Sequence, residues 1–140
     1  MTKQITIVHS PYIALPRKTK EAKKIAINLN TYRNLHFLVN NQCKKIAKDN
    51  IEKYLKDTGQ FGIMFTNPVD VTFKFYKGSN RRLDKSNVYA VATKYFYDAL
   101  VELGILQDDN DDYIKNEVML ETEYDKENSR IELTLTERTQ

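Results

Sequence analysis

The chain has 140 residues, of which 41% are hydrophobic and 29% charged, with a net charge of +3; this describes one ordinary folded domain over residues 1–140 and excludes a disordered chain. A single cysteine, Cys43, excludes an internal disulfide framework and a cysteine zinc cluster, and two histidines, His9 and His36, argue against a histidine-rich metal site or a His-based triad. No apolar run approaches the ~20 residues of a membrane helix, and Met1 to Pro11 alternates like a strand rather than a signal peptide, so the expectation is a cytoplasmic protein with no membrane partner.

In chain order, Gln4 to His9 alternates as a strand. Ser10 to Lys24 carries Pro11, Pro16 and a basic cluster and reads as a loop, and Lys24 to Asn30 is again extended. Asn30 or Thr31 is the expected cap of a helix in which Tyr32, Leu35, Val39, Cys43, Ile46, Ile51, Tyr54 and Leu55 recur at helical spacing up to Gly59. Val69, Val71, Phe73 and Phe75 alternate with polar residues as a half-buried strand, closed by Gly78 to Asn80. A second helix covers Lys94 to Leu103, with its start placed between Asn87 and Thr93 and Gly104 at its end. Val118 to Tyr124 and Arg130 to Thr136 read as an antiparallel pair joined by a turn at Asp125–Ser129. The order β-β-α-β-α-β-β predicts a two-layer α+β domain, a mixed or antiparallel sheet with two main helices.

Charge is unevenly distributed. Residues 1–56 hold 12 Lys+Arg against 3 Asp+Glu, and residues 84–140 hold 6 against 14. A basic half fits a polyanion, because Lys and Arg release the counterions of phosphates. The lysines of the first helix, Lys44, Lys45 and Lys48 among them, read equally well as a solvated face. In the acidic half, Asp84 follows a strand and Asp108–Asp109 follows a helix end. Carboxylates at element ends can converge, and hard cations such as Mg²⁺ take such oxygen ligands. Convergence has a length condition. A helix starting at Asn87 is ~25 Å long, too far for Asp109 to return to Asp84, so Val88 to Ala92 must be largely non-helical. Asp98 lies mid-helix on either reading and is expected to anchor or pair the helix. Asp108–Asp112 fails as a calcium loop, having Tyr113 where glycine is needed and Met119 where glutamate is needed.

Three segments in order carry a family resemblance: Arg81-Arg82-Leu83-Asp84-Lys85-Ser86-Asn87, then Lys94-x-x-x-Asp98-Ala99-Leu100, then Gly104-Ile105-Leu106-Gln107-Asp108-Asp109. Pro68-Val69 and the ending Arg130 to Glu137 extend it over most of the chain. This pattern resembles the RusA family of Holliday junction resolvases of phages and prophages. The resemblance implies a homodimeric, Mg²⁺-dependent endonuclease, with Mn²⁺ as a substitute metal and no small-molecule cofactor, that resolves four-way DNA junctions by paired phosphodiester hydrolysis. It implies Asp84, Asp109, Lys94 and Asn87 as catalytic residues and Asp84, Asp108 and Asp109 as metal ligands. Arg17, Lys18, Lys20, Arg81 and Arg82 are the expected DNA contacts. Ser86 stands where the family has a second aspartate, and four extra residues separate Asn87 from Lys94. Because Ser86 supplies no carboxylate, the alternative is a weak or inactive junction-binding protein on the same fold.

Overall fold

A computed structural model describes residues 3–139. Ten elements follow one another: β1 (Gln4–His9), β2 (Tyr12–Leu15), β3 (Lys23–Ala26), α1 (Leu29–Arg33), α2 (Phe37–Asp57), β4 (Val69–Lys77), α3 (Lys85–Glu102), β5 (Ile114–Met119), β6 (Glu123–Tyr124) and β7 (Arg130–Glu137). The main sheet runs β1-β7-β4-β5, with β6 also on β4, and β2 and β3 form a separate hairpin. The architecture is two-layer α+β, as the element order predicts. In β4, Val69, Val71, Phe73 and Phe75 are buried and the intervening residues half-buried, and Ile131, Leu133 and Leu135 repeat this in β7. One sheet face thus packs on the helices and the other stays polar, with Thr6, Thr134 and Thr72 side by side across three strands. Helix α2 buries Cys43, Ala47, Ile51 and Leu55, spaced four apart, and α3 buries eight residues between Val88 and Leu100.

Four expectations are corrected. The basic segment after Ser10 is not all loop: Tyr12–Leu15 pairs antiparallel with Lys23–Ala26, leaving only 16–22 as the hairpin tip. The first helical stretch is two helices. Asn28, rather than Asn30 or Thr31, caps α1 by accepting from the Thr31 N–H at 2.9 Å, and His36 Nδ1 caps α2 by accepting from Leu38 N–H at 3.2 Å. Helix α3 begins at Lys85, so Val88 to Ala92 is helical, with Val88, Val91 and Ala92 buried. Finally, β5 and β6 do not pair with β7. Both lie parallel to β4, while β7 runs antiparallel between β4 and β1. The crossover through α3 makes β4-α3-β5 a parallel unit, which a hairpin connection cannot give.

Candidate functional site

The helix that separates the two acidic motifs decides their geometry. Asp84 is the N-cap of α3; its Oδ1 accepts the Ser86 N–H at 2.9 Å, which holds its carboxylate over the first turn. Asn87 lies in that first turn, its N–H donating to the Asp84 carbonyl at 3.0 Å. Helix α3 is 18 residues long, ~27 Å from end to end. It stops at Gly104, where φ is +76°, and the N–H groups of Ile105 and Leu106 both return to the Leu100 carbonyl at 2.9 and 3.2 Å. Asp108 and Asp109 follow at that far end, in a cleft of about 600 Å³ between α2 and α3 that Asp98 and Glu102 also line. Asp98 alone is ~21 Å along the helix from Asp84. Carboxylates so placed cannot reach one Mg²⁺, whose ligands stand ~2.1 Å away. The expected ligand set of Asp84, Asp108 and Asp109 is therefore not brought together within one chain, because the buried face of α3 holds Val88 to Ala92 helical.

What the structure does bring together is Asp98, Asp108 and Asp109 facing Lys44, Lys45 and Lys48 of α2. Lys44 pairs with Asp98 at 3.6 Å and Lys48 with Glu102 at 3.5 Å. These lysines bridge the two helices, and Asp98 has the pairing role its position suggested. Asp108 shapes the loop, its Oδ1 accepting the Asp109 N–H at 2.7 Å and its Oδ2 accepting from Asn110 Nδ2 at 3.2 Å. Asp109 has its pKa raised, first by partial desolvation, then by hydrogen bonding and repulsion from Asp108, with Asp98 adding to it. Among the described residues no group of three His, Cys, Asp or Glu is arranged to hold a metal ion. Asp108 and Asp109 have the hard oxygen chemistry that Mg²⁺ takes, but among the described residues of one chain no third ligand completes a set with them.

Lys94 projects from the middle of α3, exposed, with its Nζ 5.8 Å from the centre of the Tyr32 ring. It lies ten residues, ~15 Å, from Asp84 and one turn before Asp98. The expected DNA contacts fall in two exposed places. Arg17, Lys18 and Lys20 occupy the β2–β3 hairpin tip, shaped by Arg17 Nε donating to the Glu21 carbonyl at 2.8 Å. Arg81 and Arg82 precede Asp84, and Lys77 Nζ steadies their loop by donating to the Arg81 carbonyl at 3.1 Å. Among the described residues none of these five cations has an ion-pair partner, unlike Lys44 and Lys48.

One polar cluster has almost no signature in the sequence. Tyr89 and Tyr97 of α3 both donate to Glu117 Oε2 on β5, Tyr97 at 2.7 Å. Burial, then the bond to Glu117, pushes both phenols well above their usual range. The cluster ties the helix to the sheet edge. Its only sequence signal is the i, i+8 tyrosine spacing, which is uninformative until the β5 register is known. No model of a known protein family matches the chain, and no curated protein matches it.

Proposed function

We propose that the protein is a homodimeric, Mg²⁺-dependent endonuclease of four-way DNA junctions, each site combining Asp84 of one copy with Asp108 and Asp109 of the other. The observation that carries this is the placement of the two acidic motifs at opposite ends of a single 18-residue helix. A two-fold pair in which the α3 helices run antiparallel sets unlike ends side by side. Bound Mg²⁺ would polarise the phosphate and lower the pKa of its water. Asp108 and Asp109 would supply hard oxygens, and a bound cation would favour the ionised form of Asp109, which partial burial and then Asp108 disfavour. Asp84 stays anchored as a cap and presents its remaining oxygen, with Asn87 one turn on. Lys94 offers an exposed ammonium to a phosphate. Arg81 and Arg82 beside Asp84, and the hairpin tip, hold the DNA backbone and carry no base information. A two-fold dimer on a two-fold junction makes paired cuts.

A second reading, junction binding without cleavage, is favoured by Ser86, an exposed hydroxyl where a further carboxylate would serve the metal. Incubation of a labelled four-way junction with and without Mg²⁺ separates the two. Paired nicks that require Mg²⁺ support the first. Tight binding without products supports the second. Equal affinity for junction and linear duplex overturns both.

A further inference from the structure

The two edges of the main sheet differ. The β1 edge is closed by a side chain: Gln60 Oε1 accepts the Thr6 N–H at 2.8 Å and Gln60 Nε2 donates to the Thr6 carbonyl at 3.0 Å, so an amide occupies the place of a neighbouring strand. The β5 edge has no such cover. Among the described residues no side chain hydrogen-bonds the backbone of Lys115 to Met119, and no strand lies beyond it. Instead the edge carries exposed apolar side chains, Val118 at 51%, Met119 at 38% and Leu120 at 41%. The Leu120 N–H donates to Phe73 O of β4 at 2.8 Å, so by alternation the backbone groups of Glu117 and Met119 turn outward, away from the sheet.

We infer that β5 pairs antiparallel with β5 of a second copy, with the two-fold axis at Val118, and that the two sheets become one. This rests on the homodimer of the proposed function and supplies its interface. The register follows from the residues. With the axis at Val118, outward Glu117 meets the partner's Met119, Asn116 meets the partner's Leu120, and Lys115 faces the partner's Glu121. Neither Lys115 nor Glu121 has an ion-pair partner among the described residues, and an opposite-charge pair on each flank favours this alignment. An axis at Glu117 sets two carboxylates directly opposite. An axis at Asn116 runs the pairing into the irregularity where Val69 and Asp70 face Ile114 and Asn116, with Lys115 as the extra residue. Pairing about Val118 also covers the three exposed apolar side chains at the centre. Lys85 Nζ donates to the Leu120 carbonyl at 2.8 Å, so the start of each α3 is tied to the end of its β5. Antiparallel pairing then turns the Asp84 end of one copy toward the Asp108–Asp112 end of the other.

The test uses the full chain and needs no nuclease activity. In this register Val118 faces its own copy as a non-hydrogen-bonded pair, with Cα atoms ~4.5 Å apart, inside disulfide range. The two Asn116 Cα atoms stand four residue steps, ~14 Å, apart. Under mild oxidation Val118→Cys is expected to form a covalent dimer and Asn116→Cys to remain unlinked; Cys43 is buried and silent. Val118→Lys, at an exposed position that leaves the fold intact by circular dichroism, should convert a dimer to a monomer in sedimentation velocity. A monomeric wild-type protein, a dimer that persists in Val118→Lys, or cross-linking of Asn116→Cys in preference to Val118→Cys each overturns the inference. A cross-linked dimer that cuts no junction upholds this interface while overturning the nuclease reading, so the two failures are distinguishable.

Discussion

Mixing two inactive variants tells a site built across two chains from one built within a chain. Asp84→Asn keeps the helix cap, since Asn caps as well as Asp. The alanine variant would lose it, at about 1 kcal/mol and roughly 4 °C of melting temperature for a domain of this size. Asp109→Asn changes charge at an exposed loop position. Each variant alone should bind junctions and fail to cut them, because every site in either homodimer lacks one carboxylate. After subunit exchange at equal concentrations, half the dimers are mixed. Each mixed dimer has one site with both substitutions and one with neither, so about a quarter of all sites regain the native set. Nicking of a labelled junction should recover to about that fraction. It should appear as single cuts rather than paired cuts, since only one site per mixed dimer is intact. If two variants that are each inactive and dimeric yield nothing on mixing, the shared site is wrong. The 18-residue α3 prevents the carboxylates from meeting in one chain, so that result also ends the metal assignment.

Three further outcomes are expected. Junction binding should lose ~10³-fold or more in affinity between 50 and 200 mM salt; Arg17, Lys18 and Lys20 replaced together by Ala should reduce the slope by about one per cation removed, whereas Lys44, Lys45 and Lys48 replaced by Ala should leave it, Lys44 and Lys48 being paired to α3, and the reverse pattern in a salt titration would move the DNA path to α2. Ser86→Asp should raise Mg²⁺ affinity or cleavage and also stabilise α3 by ~0.5 kcal/mol as a first-turn acid; a stabilised protein with unchanged Mg²⁺ titration would place the metal away from this turn. His9 is buried with Nδ1 at 2.6 Å from the Ser10 carbonyl and Nε2 at 3.1 Å from Asn50 Nδ2, against Phe96, with Lys53, Tyr54 and Asp57 nearby. Burial lowers its pKa below the ordinary 6.5, so the unfolded chain takes up the proton first, and the stability held by neutral His9 is complete above that pH and lost below it. Urea unfolding should show a lower midpoint at pH 5 than at pH 7.5, and His9→Gln should remove most of that difference.

The strands that face the helices were legible because burial on one face imposes a period of two, as in Val69 to Phe75 and Ile131 to Leu135. Their partners were not. Nothing local distinguishes β5 folding back on β7 from β5 lying parallel to β4, and only the crossover through α3 selects the second. The start of α3 was hidden for a related reason. Ser86-Asn87-Val88 is weak helix sequence, and the turn forms because Asp84 caps it and Val88, Val91 and Ala92 find the core. The break at Asn34–His36 was hidden because histidine is an unusual cap, visible only once its Nδ1 is seen on the Leu38 N–H.

The candidate acidic and basic residues can be named from the sequence, whereas their arrangement depends on the length of one helix. The free cations Arg81 and Arg82 stand with Asp84 at the start of α3, while Asp108 and Asp109 stand beyond its end beside lysines that are already paired. In one chain, therefore, the cations proposed to hold phosphate and two of the carboxylates proposed to hold the metal lie at opposite ends of α3. A phosphodiesterase needs both within a few ångströms of the same phosphorus. A longer loop in place of Val88 to Ala92 would bring them together in one chain, but those residues are needed by the core. In the proposed dimer an antiparallel pair of helices brings them together without disturbing the core, through the uncovered β5 edge beside α3. On that reading, activity depends on the contact between two chains as well as on the sequence of one.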